Sequence, residues 1–409
     1  MIKIESYYVE EYHKSVPHVV KFSGGRSSGA LLFSLLENGL LDADRGDVIV
    51  FNNTSAEHHK TYDFVMECKR RCESKYNIPF FLVEFQTYES CRNGTYDRFS
   101  TYKLVNNKPY SETNPNGYHS KGEIFEELIS WQGYLPSLLS GRTCTKNMKM
   151  DTTVAFLNDW FAFKEFNVPV VRLGHFGESS RIDKNLLYEK HLRHGGSVPK
   201  EIYLEKKEYA LNRHLFRSTQ NFRDYTSVQI ENKPLYTKKG IVEYCSLIGF
   251  RADEPLRLEK MKKRIDDKSN ENISVAYLRD KNEHVYAPLV EYNVEQKDIK
   301  DFWDSREWDL GLPYDGSLGN CVYCFMKGAT KLSSIQSNND DITPENIDWW
   351  VRIEEKYQRD LKAEGREIST EENPFINFFG VGKKLSYSVI KEGSGLEAND
   401  DSLPCNCTD

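Results

Sequence analysis

The sequence predicts an α/β protein: a parallel twisted sheet flanked by helices, with insertions and a C-terminal helical and loop extension. Three observations carry this. Short apolar runs recur between residues 18 and 85, helical runs alternate with them, and a Gly-Ser turn joins the first strand to the first helix.

The elements follow in order. His18-Val19-Val20-Lys21-Phe22 reads as a buried strand, Ser23 to Ser28 as a Gly-containing turn, and Gly29 to Asn38 as a helix that Gly39 stops. Val48-Ile49-Val50-Phe51 is a second strand and Thr61 to Tyr76 a second helix, with Phe64, Val65, Cys68 and Cys72 at helical spacing. Those two cysteines read as core. Pro79 to Phe85 is a third strand. Strand-helix-strand-helix-strand implies parallel pairing through right-handed crossovers. Residues 86–140 read as a first, irregular insertion and 176–236 as a second. Thr152–Phe163 is expected as a helix, Val168–Leu173 and Ile241–Ile248 as strands, Asp298–Trp303 as a short helix, and Thr343-Pro344 as the cap and first turn of a helix reaching Leu361. The chain divides into a nucleotide-binding region, 1–330, and an extension, 331–409, whose acidic tail ends near Pro404-Cys405-Asn406-Cys407.

Composition bounds the function. Of 409 residues 39% are apolar and 29% charged, which supports a packed globule rather than disorder. The formal net charge of -7 argues against a protein that coats nucleic acid by charge alone. No apolar run is long enough for a membrane span, and Met1-Ile2-Lys3-Ile4-Glu5 lacks the plan of a secretory signal, so a cytoplasmic protein is expected. Nine cysteines scattered over this length do not resemble a secreted disulfide framework.

Four segments carry chemistry. In Ser23-Gly24-Gly25-Arg26-Ser27-Ser28, two glycines let the backbone approach an anion. Amides at the helix start favour phosphate, the serines add donors, and Arg26 adds a charged fork; Phe22 leads in. A short Gly/Ser string is also an ordinary helix cap. Asn53-Thr54, followed by Glu57 and His58, ends the second strand, where a parallel sheet places ligand contacts. Gly249, Arg251 and Arg257, with Asp253 and Glu254, follow a strand and precede a basic helix. The arginine forks suit a bidentate anion, and either carboxylate suits Mg2+ through water. Cys321-Val322-Tyr323-Cys324 is a Cys-x2-Cys turn, a moderate metal signal, and Arg142-Thr143-Cys144-Thr145 lies farther back. Iron–sulfur, zinc and plain thiols all remain open.

The first loop resembles the Ser-Gly-Gly-x-x-Ser loop of the adenine nucleotide alpha-hydrolase superfamily, which is Rossmann-like. Within it, the chain is similar to the phosphoadenosine phosphosulfate (PAPS) reductase family, above all its phage and prophage branch. Arg26 departs from the Asp or Lys common at that position, and Ser55 replaces the Gly that usually follows Asn53-Thr54. The order Tyr286-Ala287-Pro288-Leu289, Asp301-Phe302-Trp303, Leu312-Pro313 and Gly319-Asn320-Cys321 extends the match.

The resemblance implies that Phe22, Ser23, Gly24, Gly25, Arg26, Ser27, Ser28, Asn53, Thr54, Gly249, Arg251 and Arg257 bind an adenine nucleotide. It implies cleavage of ATP at the α-phosphate, with Arg26 and Arg251 neutralising charge, and sulfur transfer to a nucleic acid, protein or small-molecule acceptor. It implies a 4Fe-4S cluster on Cys144, Cys321 and Cys324, with Zn2+ as the alternative, and Cys245, Cys405 or Cys407 as the fourth ligand. A sulfonucleotide reductase acting on PAPS or adenylyl sulfate is the alternative reading, with Cys407 as its nucleophile. A nucleotide sensor of a phage-related or anti-phage defence system, in a homo-oligomer or with a defence partner, is the third.

Overall fold

A computed structural model describes residues 2–92, 95–137, 143–161, 167–169, 219–230, 242–262, 277–280, 282–335, 341–365, 374–381 and 385–393, with a few more between 188 and 204. The first helix–strand units follow the predicted pattern. Strand β1 is His18–Phe22, β2 is Val48–Asn53 and β3 is Phe80–Arg92. Helix α1 is Arg26–Glu37 and α2 is His59–Tyr76. β1 and β2 are buried almost throughout, as continuous apolar runs must be when helices cover both faces.

The sheet has eight strands and is mixed. After β3 come β4 (Thr95–Pro109) and β5 (Gly117–Tyr118). β6 (Asn167–Pro169) and β7 (Thr219–Asn221) pair apart, and β8 (Tyr244–Leu247), β9 (Tyr277–Asp280) and β10 (Glu283–Tyr286) complete the sheet. The order is β5-β4-β3-β2-β1-β8-β10-β9. Five central strands, β3-β2-β1-β8-β10, run parallel, and the group is extended by an antiparallel strand at each side, β4 beside β3 and β9 beside β10. The chain winds outward from β1 through β2 to β3, then returns to lay β8 on the other flank of β1. The β1/β8 boundary is therefore the point where winding reverses, and the carboxyl ends of those strands frame a crevice there.

Several boundaries correct the sequence reading. Residues 86–109 are not irregular: β3 continues to Arg92 and pairs with β4 from Leu82↔Val105 to Arg92↔Thr95. Alternating polar residues on an edge ribbon hide it from a search for apolar runs. Helix Glu123–Gln132 (α3) also lies in that stretch. The helix expected at Thr152 is Thr152–Phe161 (α4), and it continues a π-helical stretch, Thr145–Asp151. The helix expected from Thr343 starts at Ile347 and ends at Tyr357, because Asn346 caps it, its side chain accepting from Asp348 N at 2.9 Å. β9 and β10 were not predicted. The strand expected at Val168–Leu173 begins in β6, Asn167–Pro169, and its remainder, with most of 176–236, lies outside the described residues.

Two cores matter for function. The main one packs α1, α2 and the helix Gln296–Asp304 against one face of the sheet, with Trp303 beside Phe64 and Phe33 at ring centroids of 5.1 and 6.3 Å. Cys68 and Cys72 are fully buried there, and burial raises both thiols above their ordinary value. The second core joins residues far apart in sequence: Phe125 and Leu128 of α3, Cys321 to Met326, Trp349 and Trp350, Phe378 and Tyr387. Both tryptophans are buried, and Trp350 Nε1 donates to Pro344 O at 2.9 Å. At about 25 cal/mol per Å² of apolar surface, such aromatic burial contributes several kcal/mol to docking the C-terminal region. Among the described residues no helix is long and apolar enough to cross a membrane.

Candidate functional site

The Gly-Ser loop leaves β1 at the crevice. Gly24 takes φ +82°, and a Cβ there would lie 2.8 Å from Thr61 Cγ2, so this turn requires glycine. Gly25 caps α1 and has no side chain to engage the amides that follow it. Those of Arg26, Ser27 and Ser28 precede the first bond of the ladder, Gly29 N–H to Gly25 O at 3.0 Å. Ser28 shapes the loop: its Oγ donates to Gly25 O at 3.0 Å and lies 2.8 Å from Ser23 Oγ. The result is a rigid turn with a helix N-terminus at its mouth, the arrangement that favours an anion.

The segment after β8 meets this loop. A Cβ on Gly249 would lie 2.8 Å from Ser28 Cα, so the two backbones touch. Arg251 Nη1 donates to Ser27 Oγ at 2.9 Å, and its Nε donates to Asp253 Oδ1 at 2.9 Å. Glu254 accepts from Arg251 and Arg257, at 3.4 and 2.7 Å. Two carboxylates therefore sit against two guanidiniums, a balanced set that leaves little net charge for Mg2+. A Mg2+ ion here would depend on substrate phosphates for its remaining ligands. Arg257 is buried, with its guanidinium 4.6 Å from the Phe250 ring centroid, behind Arg251.

Arg26 is engaged elsewhere. Its fork grips Asp309 through Nε–Oδ1 at 2.7 Å and Nη2–Oδ2 at 2.5 Å, Nη2 also donates to Leu312 O at 2.6 Å, and the guanidinium lies 3.8 Å from the Tyr314 ring centroid. Trp303 Nε1 donates to Arg26 O at 2.9 Å. The structure thus makes Arg26 the tether that holds residues 309–314 over the start of α1.

Asn53 and Thr54 lie inside a buried polar network. Asn53 Nδ2 donates to Glu84 Oε1 and His119 O at 2.6 and 2.7 Å, and its Oδ1 accepts from Ser55 N and Tyr62 OH at 2.8 and 3.2 Å. All its polar capacity is used within the protein, so its side chain is not a nucleoside contact in this state. Ser55 adopts φ 61°, a left-handed backbone that favours glycine. Thr54 Oγ1 donates to Glu57 Oε1 at 2.5 Å and lies 3.5 Å from Cys321 Sγ. Burial, with the charge of Glu57, holds the Tyr62 phenol well above its ordinary value, so it remains a donor to Glu57 at 3.0 Å.

That network leads to the thiols. The Cys-x2-Cys turn is pinned to the end of β2 by a bridge between Glu57 and Cys321 and by Val322 N–H to Ala56 O at 3.0 Å. The buried ammonium of Lys327 closes the turn, donating to Ser317 O, Cys321 O and Val322 O at 2.8, 2.9 and 2.8 Å. Cys144 leads the π-helical stretch and packs half-buried against the same core. Burial holds the Tyr387 phenol well above its ordinary value, and the charges of Cys324, Glu354, Cys321 and Cys144 add to the effect. Thiols from two distant stretches thus pack in and against one core.

Among the described residues, however, the one group of three ligand atoms mutually within 4.8 Å is His58, His59 and Glu345, not the thiols. Zn–S bonds of about 2.3 Å place ligand sulfurs roughly 3.8 Å apart, so the thiols do not form a closed zinc site as they stand. Cys245 cannot join them: it pairs with His18 at the amino end of β1 and donates to His13 O at 3.7 Å, while Cys321 lies past the carboxyl end of β2. Cys405 and Cys407 lie outside the described residues.

Sequence reading missed Glu84, His119, Tyr62, Lys327, Asp309, His59 and Glu345. All but Tyr62 act through a partner distant in the chain or through a backbone carbonyl, and Tyr62 sits on a helix where its spacing from Asn53 and Glu57 marks no pair. No family model, curated protein or solved structure matches the chain.

Proposed function

We propose that this chain binds an adenine nucleotide, ATP first, across the β1/β8 crevice and performs chemistry at its α-phosphate. One observation carries the reading. The Gly-Ser loop and the Gly249–Arg251 segment meet at the winding reversal, joined by Arg251 Nη1 to Ser27 Oγ at 2.9 Å. That is where open parallel sheets bind nucleotides, and the pair supplies backbone amides and a guanidinium to one anion.

In this reading the amides of Arg26, Ser27 and Ser28 hold the phosphates. Arg251 exchanges its bond to Ser27, or adds a second, to neutralise charge that develops as the α-phosphorus is attacked. Attack by an acceptor oxygen forms the new P–O bond, and the bond to the pyrophosphate oxygen breaks. Arg26 orders residues 309–314 beside the loop and does not touch the phosphorus. Cys144, Cys321 and Cys324 would hold an iron–sulfur cluster, which when bound would supply a sulfur or electron carrier beside the nucleotide. Thr54 joins the two parts, lying one strand from the loop and 3.5 Å from Cys321 Sγ.

The test is product analysis with the purified chain. Pyrophosphate released from ATP in the presence of an acceptor supports α-phosphate activation. Sulfite released from PAPS or adenylyl sulfate with a thiol reductant would transfer the activity to the reductase reading, with Cys407 as nucleophile. Saturable ATP binding without either product would leave a nucleotide sensor. Absence of ATP binding would overturn the proposal.

A further inference from the structure

The start of α2 holds a second cluster that the nucleotide reading does not use. His58 caps the helix and His59 is its first residue. Glu345, 286 positions further on, accepts from His59 N at 2.7 Å and lies 2.8 Å from His59 Nδ1. His58 Nε2 is 3.5 Å from the same Glu345 oxygen. The three ligand atoms are mutually within 4.8 Å.

We propose that His58 Nε2, His59 Nδ1 and Glu345 form a site for one divalent transition-metal ion of the Zn2+ or Co2+ class. The donor set is the argument. Two imidazoles and one carboxylate suit these ions and suit Mg2+ poorly. Metal bonds of about 2.0–2.2 Å in tetrahedral geometry place neighbouring ligand atoms roughly 3.3 Å apart. The two measured separations to Glu345, 2.8 and 3.5 Å, bracket that value. The carboxylate balances one of the ion's two charges, and the exposed side of His59 leaves the remaining positions to water.

The bland alternative is a carboxylate capping a helix N-terminus and pairing with imidazoles, which explains the His59 N–H bond. It does not require His58, whose half-buried ring lies against His59, tilted by 32° with centroids 4.2 Å apart, and turns Nε2 toward the same oxygen. Loading has a stated cost. His58 Nδ1 accepts from Lys60 N at 3.2 Å, so binding through Nε2 moves the ring proton to Nδ1 and ends that bond. Occupancy would tie the 341–346 segment, ahead of helix Ile347–Tyr357, to the start of α2. α2 also holds Lys60, which donates to Gly311 O at 2.9 Å in the segment tethered by Arg26. The ion would thus fasten the C-terminal region beside the nucleotide crevice.

The experiment titrates the full chain with Co2+, following visible absorbance and calorimetric stoichiometry, and repeats this with His59→Ala and Glu345→Gln. The proposal expects one equivalent with weak d–d bands and no intense sulfur-to-cobalt charge transfer. Each variant should lose affinity by about tenfold or more, on the scale of losing a supporting partner at a metal site or worse. His59 is largely exposed, so His59→Ala keeps the fold and separates metal loss from unfolding. Binding unchanged in both variants, a spectrum dominated by sulfur ligation, or no saturable binding up to on the order of 0.1 mM Co2+ would each overturn the site. ATP binding is read in the same samples: its loss with Co2+ binding intact counts against the nucleotide proposal alone.

Discussion

Arg26 and Asp309 form a two-pronged ion pair, Nε–Oδ1 2.7 Å and Nη2–Oδ2 2.5 Å, that clamps residues 309–314 onto the first turn of α1. Burial opposes ionisation of Asp309, but the Arg26 fork and the amides of Gly311 and Leu310 outweigh it and hold the carboxyl below its ordinary value. Asp309→Asn removes the charge and one acceptor oxygen. Stability should fall by about 1–2 kcal/mol, between an exposed pair and a hydrogen bond to a charged group, as read by denaturant midpoint. ATP affinity should not fall, since the variant releases a guanidinium beside the loop.

Gly25→Asp separates folding from binding. Gly25 has φ -92° and ψ 165°, extended backbone open to any residue, and it occupies the N-cap of α1. Asp is the better cap by a few tenths of a kcal/mol, on the order of the measured preference. The melting temperature should hold or rise slightly. ATP binding, by calorimetry, should be lost, because a carboxylate then faces the amides intended for phosphate. Retained affinity would remove the loop from the site.

Lys327→Met tests the closure of the Cys-x2-Cys turn. The ammonium holds three carbonyls in a buried position, and its loss leaves them without that donor. A cost of about 3 kcal/mol is expected for removing a buried charged donor. The loss should show as faster alkylation of Cys321 and Cys324 under native conditions, with mass spectrometry locating the label. Unchanged labelling at both cysteines would mean the turn is held by its apolar packing alone.

Glu354 sets a pH dependence. Burial pushes its carboxyl up from 4.5 to about 7, against the opposing bonds it accepts from Tyr387 N and Phe378 N at 2.7 and 3.3 Å. The folded chain therefore holds more protons than the unfolded chain between these values. Stability is highest below pH 4.5 for this group, falls as pH rises to about 7, and is flat beyond. The contribution is at most about 3 kcal/mol. Urea midpoints measured between pH 5 and 8 should fall with pH in the parent, and Glu354→Gln should flatten that slope.

The sequence by itself determined the sheet's parallel centre and the Gly-Ser turn that opens α1. Val19-Val20 and Val48-Ile49-Val50 are continuous apolar runs, and Gly24 between a strand and a helix marks a turn that needs glycine; both signals are local. It also picked out Cys144, Cys321 and Cys324, by resemblance, and the structure packs them in and against one core. Only the tertiary structure decided that Arg26 holds Asp309, that Asn53 has no capacity left over, that Cys245 stands at the wrong end of the sheet, and that Glu345 reaches His58 and His59. The physical reason is common to these four. A side chain's role depends on which donor or acceptor meets it, and partners such as Asp309 and Glu345, 283 and 286 positions away, are selected by strand order and core packing rather than by spacing.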